Sequence, residues 1–84
     1  MYNYIADSKY FKRNAAIALG NSGDRDMLPH LEKALHDEDE LVRMHVAWAI
    51  GRLGGNEAKR ILLSHLEREK SDQVKEEITS ALGG

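Results

Sequence analysis

The sequence contains no cysteine. Without a thiol the chain cannot form a disulfide, an iron–sulfur cluster, a thiolate metal site or a cysteine nucleophile. It also lacks any run of the roughly 18–20 apolar residues that a membrane-spanning helix needs, and its first residues do not form a signal peptide. We therefore expect a cytoplasmic protein that has no membrane partner.

The chain has little net charge. Twelve Lys and Arg residues oppose 14 Asp and Glu residues, which gives a formal net charge of -2 at pH 7. Bulk charge therefore gives no indication of nucleic-acid or anionic-membrane binding, and any basic surface must be local. Because 84 residues can form one modest core and not two, we expect residues 1–84 to be a single domain.

The residue types that carry catalysis do not occur at useful spacings. The four histidines form no His-Glu-x-x-His motif and no other cluster of metal ligands. The serines have no neighbouring base and no nucleophile-elbow glycines, and the glycine pairs follow no strand that could make a dinucleotide loop. The sequence predicts no metal site, no cofactor and no enzymatic activity in this chain alone.

Three segments of the chain repeat one pattern. Residues 11–20 align with residues 42–51 and then with residues 74–83, at offsets of 31 and 32 residues. Each copy has an apolar residue followed by a base, and each ends in Ala-Leu-Gly or Ala-Ile-Gly. Such a period is typical of a helical solenoid, in which each repeat is one supersecondary unit.

Each unit is predicted to be a helical hairpin, because the apolar residues of its first part recur at helical spacing. Gly20 and Gly51 are expected to end the first helices, Pro29 lies in the first turn of a second helix, and Asn56 is a candidate N-cap. The prediction is an all-α fold, a short α-solenoid of about five helices near residues 8–20, 25–36, 40–53, 57–69 and 73–82. The repeat units are residues 8–37, 39–70 and 72–84.

The third unit lacks a second helix. A repeat cannot bury its apolar face alone, so either Glu76 and Glu77 make the last helix a polar cap or the sequence belongs to a longer chain. We favour the longer chain, and in that case Val74 and Ile78 would be exposed here.

The pattern Val-Arg-x-x-Val-Ala-x-Ala-Ile-Gly at residues 42–51, with Asp37 six residues before Arg43, resembles the short HEAT-like repeat that also occurs in phycobilisome lyases. Residues 13–21 read Arg-Asn-Ala-Ala-Ile-Ala-Leu-Gly-Asn, and residues 41–51 read Leu-Val-Arg-Met-His-Val-Ala-Trp-Ala-Ile-Gly. Together they are similar to the C-terminal HEAT-like extension of bacterial epoxyqueuosine reductases, iron–sulfur and cobalamin enzymes of queuosine synthesis in tRNA.

That resemblance implies a non-catalytic accessory domain. The cysteine-rich motifs with which those reductases bind their clusters are absent here. The expected role is to help hold the tRNA substrate near its anticodon stem-loop, beside a catalytic domain of the same parent chain that carries the iron–sulfur cluster and the cobalamin.

Two groups of residues could contact RNA. Lys9, Lys12 and Arg13, with Asn14 beside them, have the i, i+3, i+4 spacing that would add their charges on one helix face. The other interpretation of this group is an ordinary solvated face.

The second candidate group is His45, Trp48 and Arg52, which share one flank of the second repeat's first helix. An aromatic ring, an imidazole and a guanidinium together suit stacking on bases and contact with phosphates. Alternatively, Trp48 packs between neighbouring repeats.

The bases of the repeat have a structural interpretation as well. Asp37 has the spacing at which HEAT-type repeats pair an acid with the base at position 43, so Arg43 is expected to bind Asp37. Lys12 occupies the matched position in the first unit but has Ala6 where the acid should be, which predicts a free charge.

A different class of function remains open, that of a protein-interaction scaffold. It would bind a partner peptide or subunit along the second helices of the units, through acidic residues. The candidates are Asp24, Asp26, Asp37, Glu38 and Glu40.

Overall fold

The computed structural model of the protein describes residues 8–83, with side chains from residue 12 onward. Over this range the chain forms five α-helices and no strand. The helices are α1 (Ser8–Ser22), α2 (Leu28–Ala34), α3 (Glu40–Leu53), α4 (Asn56–Leu66) and α5 (Asp72–Ala81), and a short 3-10 helix (Arg25–Met27) leads into α2. The prediction of an all-α fold with about five helices is confirmed.

The helices form two layers. The first helices of the three units, α1, α3 and α5, lie side by side with α3 in the middle, and α2 and α4 pack behind them. Five residues of α3, from Val42 to Ile50, are almost completely buried (Val42, Val46, Ala47, Ala49 and Ile50). This central helix therefore holds the domain together, because both neighbouring units bury their apolar faces against it.

The segments between units cap the helices that follow them, through Asp39 for α3 and Ser71 for α5. Asp39 accepts a hydrogen bond from the backbone N–H of Leu41 at 2.8 Å at the start of α3. The expectation for α4 was wrong, because Asn56 is its first residue and Gly55, with φ of 94°, occupies the cap position. The turn there needs a left-handed backbone, which favours glycine over asparagine.

Gly20 and Gly51 do not end their helices, contrary to the sequence prediction. Helix α1 continues to Ser22, and α3 continues to Leu53 before Gly54 turns the chain with φ of 71°. Both glycines instead lie where neighbouring first helices approach most closely. A Cβ atom on Gly20 would lie 3.0 Å from the Cα of Ala49, and one on Gly51 would lie 2.5 Å from the Cβ of Ala81.

The last helix is packed more fully than its sequence predicted. Val74 and Ile78 are both 0% exposed, because α5 lies along α3 in the layer of first helices. The expectation that these two side chains would be exposed was wrong, since α3 offers them an apolar surface that the residues of α5 alone could not indicate.

Gly51→Ala should lower the free energy of unfolding by about 1–3 kcal/mol, because the new methyl group overpacks the contact with Ala81. This sign is opposite to that of an ordinary helical Gly→Ala change, which stabilises by about 0.5–1 kcal/mol. Urea unfolding followed by circular dichroism measures the difference.

The control is the double variant Gly51→Ala with Ala81→Gly, which removes one of the two clashing methyl groups. Its loss of stability should be smaller than the sum of the two single losses. Strict additivity would contradict the proposed contact.

Candidate nucleic-acid interface

The layer of first helices carries an open groove of about 450 Å³. That volume lies in the range of small-molecule sites, about 300–1,000 Å³. Its lining comes from α1, α3 and α5, and consists of Ile17, Asn21, Met44, His45, Trp48, Arg52 and Glu77. The structure therefore brings the predicted flank of α3 into one concave surface and adds residues from both neighbouring helices.

Trp48 and Arg52 form the centre of this groove. The guanidinium carbon of Arg52 lies 5.9 Å from the centroid of the Trp48 ring, within the range of a cation–π interaction. Arg52 also donates from Nε to Oδ1 of Asn21 at 3.3 Å. Trp48 is half-buried, because one edge of its ring lies against Gly20 on α1, so it both packs between repeats and lines the groove.

His45 lines the groove, and one of its ring nitrogens is held by the backbone. Its Nδ1 lies 2.9 Å from the backbone oxygen of Leu41, and since a carbonyl oxygen only accepts, Nδ1 must carry the proton and donate it. This bond fixes the orientation of the imidazole. Among the described residues Nε2 has no hydrogen-bond partner, so it remains for a ligand.

Four of the groove residues were missed by sequence reasoning: Ile17, Asn21, Met44 and Glu77. The repeat offset could have indicated some of these positions. Residues one offset apart lie next to each other across the layer, as Asn21 and Arg52 do at a separation of 31 residues. The offset of 32 residues likewise pairs His45 with Glu77.

Of the expected basic cluster of α1, the structure describes the side chains from residue 12 onward. Lys12 reaches back to Asp37, with its Nζ 2.6 Å from Oδ2, so the prediction of a free charge was wrong. The hydrogen bond raises the pKa of Lys12 and, together with the charge of Lys12, lowers the pKa of Asp37. Arg13 is half-buried and Asn14 is exposed, and the side chain of Lys9 lies outside the described residues.

Arg43 does not bind the carboxylate of Asp37, contrary to prediction. Its Nη1 donates to the backbone oxygens of Asp37 and Glu38 at 2.8 and 3.0 Å, while Nε and Nη2 each donate to the carboxylate of Glu69 at 3.0 Å. In the first two units the base thus binds an acid after its own second helix, 25 residues on for Lys12 and 26 for Arg43. Glu69 lies 32 residues after Asp37, one residue beyond the offset of 31 that relates the first unit to the second, so the offset alone points to Arg68 and does not reveal this partner.

A comparison with known families fits the repeated hairpins. The family described as HEAT repeats matches residues 4–83. The chain belongs to the HEAT-repeat family. Within the described part of this HEAT domain, no helix is both long and apolar enough to cross a membrane.

Relatives of the HEAT domain include longer proteins. Over 96% of its length it is 38% identical to the "Uncharacterized protein in gldA 3'region" of Geobacillus stearothermophilus, of which it covers 40%. Over 88% of its length it is 36% identical to an epoxyqueuosine reductase of Bacillus subtilis, of which it covers 19%. It is also 37% identical to a deoxyhypusine hydroxylase of Neurospora crassa, covering 24% of that protein. The chain thus spans two fifths or less of these relatives.

The residues of the HEAT domain do not fit an iron–sulfur cluster, because such clusters are held by cysteine thiolates and the chain has none. Within residues 12–83, no three His, Asp or Glu side chains come close enough together to hold a metal ion. No step of the chemistry of a cluster can therefore be derived from these residues.

The acidic residues considered for a protein-binding surface are mostly engaged inside the HEAT domain. Asp24 caps the 3-10 helix through the N–H of Asp26 at 3.0 Å. Asp37 binds Lys12, and Glu40 accepts a hydrogen bond from the hydroxyl of Ser71. These contacts engage three of the five acidic side chains, while Asp24, Asp26, Glu38 and Glu40 stay exposed.

Glu69 is the most perturbed acid of the described residues. Its side chain is only 1% exposed. Burial by itself would raise the pKa, but hydrogen bonds from Arg43, from the Ser71 backbone N–H and from His65 lower the pKa of Glu69 to about 2. The carboxylate therefore stays ionised in the folded domain, and it joins α3 to the segment after α4.

Stability should depend on pH through Glu69. Because the folded pKa of about 2 lies below the ordinary value of 4.5, the contribution is full above pH 4.5 and is lost as the pH falls through 2. Its size is about 3 kcal/mol. Urea unfolding of the wild type and of Glu69→Gln between pH 7 and pH 2 should show the gap between them closing in that window.

The matched control is Glu67→Gln, an exposed acid in the same segment. The stability gap between this variant and the wild type should stay small and nearly constant with pH. A gap for Glu69→Gln that does not change below pH 4.5 would contradict the assignment.

Proposed function

We propose that this HEAT domain is a non-catalytic RNA-binding part of an epoxyqueuosine reductase-like protein, and that its groove binds tRNA near the anticodon stem-loop. In that protein a separate catalytic domain would carry the iron–sulfur cluster and the cobalamin. The observation that carries the proposal is the pairing of Trp48 with Arg52 in an open groove. The similarity to epoxyqueuosine reductases supports it.

The groove suits unstacked bases better than a duplex. Proteins recognise single-stranded RNA by stacking bases on aromatic rings or guanidinium planes and by hydrogen bonds to base edges. Trp48 and Arg52 provide both kinds of plane, and Nε2 of His45 provides a hydrogen-bonding atom beside them. An anticodon loop is the part of a tRNA that offers such bases.

In this proposal, phosphate contacts contribute less to the binding free energy than stacking and base contacts do. Lys12 is held by Asp37, so of the basic residues predicted to bind RNA, Arg52 is the one with a described place in the groove. The salt dependence of binding should therefore be shallow, since the slope of log K against log salt for single strands is about 0.7 per phosphate neutralised. We expect a slope of about one or less.

Arg52→Glu should weaken binding of a fluorescently labelled tRNA anticodon stem-loop by about tenfold or more, because it removes a stacking plane and reverses a charge. Fluorescence anisotropy titrations at several salt concentrations measure both the affinity and the slope. Circular dichroism should show unchanged helicity, since Arg52 is exposed.

Arg68→Glu is the matched control. Arg68 is also exposed and lies beside α2 and α4, on the opposite layer. It should change the affinity by no more than about twofold, as expected for a screened charge away from the site. Equal losses in the two variants would reject the groove as the site, and no binding by the wild type at high micromolar protein would reject the function.

A further inference from the structure

We propose that the groove selects guanine among the unpaired bases of RNA, with Glu77 as the residue that determines the selection. This inference rests on the proposed function and deepens it. The groove contains the carboxylate of Glu77, which a surface that binds only phosphates would not have.

Glu77 lines the groove from α5, whereas Trp48 and Arg52 line it from α3. Its carboxylate has no hydrogen bond and no ion pair with any residue in the described part of the chain, in contrast to Asp37 and Glu69. The side chain is half-buried. A partly desolvated carboxylate is stabilised by hydrogen-bond donors, so the groove favours a ligand that presents donors on this side.

Guanine is the base whose edge matches a carboxylate best. An ionised carboxylate has two oxygens and only accepts. The N1–H and the N2 amino group of guanine are adjacent donors, so both oxygens can be satisfied at once. Adenine and cytosine each place an amino group next to an accepting ring nitrogen, and uracil places its N3–H between two carbonyl oxygens. Each of these three bases therefore brings a lone pair towards the carboxylate.

The adjacent Hoogsteen edge of guanine matches a second residue of the groove, Arg52. Its O6 and N7 are acceptors, and an arginine that donates to both is the commonest specific contact to this base. Arg52 has only its Nε in a described hydrogen bond, to Asn21, so its two terminal nitrogens remain for O6 and N7. Trp48 offers its exposed ring surface for stacking, and Ile17 and Met44 make the remaining lining apolar.

The test uses short oligouridines with one central nucleotide, either guanosine, inosine, adenosine, cytidine or uridine, titrated against the whole chain by anisotropy. The guanosine oligomer should bind about tenfold more tightly than the uridine, adenosine and cytidine oligomers. Inosine, which keeps N1–H and lacks the N2 amino group, should fall between them.

Glu77→Gln replaces one accepting oxygen with a donating amide and removes a negative charge. The guanosine oligomer should bind this variant more weakly, while the all-uridine oligomer should bind it as well as the wild type or better. Glu76→Gln is the matched control, because Glu76 precedes Glu77 but lies outside the groove. It should shift all oligomers equally and keep the preference for guanosine.

Two outcomes separate the two proposals. Binding that depends on Arg52 but shows no base preference would overturn the role of Glu77 and leave RNA binding intact. Failure of every oligomer and of the anticodon stem-loop to bind would overturn both. Loss of the preference in Glu76→Gln as fully as in Glu77→Gln would also overturn the assignment, because it would make the preference an effect of net charge.

Discussion

The close approach of α3 to its two neighbours is the constraint on which the rest of this domain depends. Gly20 and Gly51 permit it, since a Cβ at either position would come within 3.0 Å of the adjacent helix. With the helices this close, Trp48 is pressed edge-on against α1, and the residues beside it form a groove across the helices. The packing of the repeat and the shape of the candidate site therefore have one cause.

A second consequence of the repeat is that most charges near the segments between units serve the fold. Lys12 with Asp37, and Arg43 with Glu69, tie each first helix to the segment after its own second helix. The Arg43–Glu69 pair is the buried one of the two, so breaking it on one side leaves an uncompensated charge. Glu77 has no such partner among the described residues, and it lines the groove; its proposed role rests on the two together.

The sequence predicted the features that periodicity determines, which are the helices and their stacking. It did not predict the features that depend on contacts between units. Helical spacing predicted the five helices, and the repeat offset predicted their stacking, because both are properties of the chain itself. The role of Gly51 and the partner of Arg43 depend on which atoms meet across the stack. The preference of glycine for helix ends assigned Gly51 to a terminus, and the acid–base spacing of HEAT-type repeats assigned Arg43 to Asp37. The offset, applied to every position of the repeat, is enough to place Glu77 beside His45.

The low net charge of the chain bears directly on how it would recognise RNA. A domain with a net charge of -2 gains little from counterion release, so most of its binding free energy must come from stacking and base edges. A carboxylate in the groove adds to this, because it repels a phosphate that enters without a base to satisfy it. In the proposed complex Glu77 thus weakens the binding of RNA that lacks an unpaired guanine and strengthens the binding of guanine. The same carboxylate makes this HEAT surface a poor general RNA binder and a selective one.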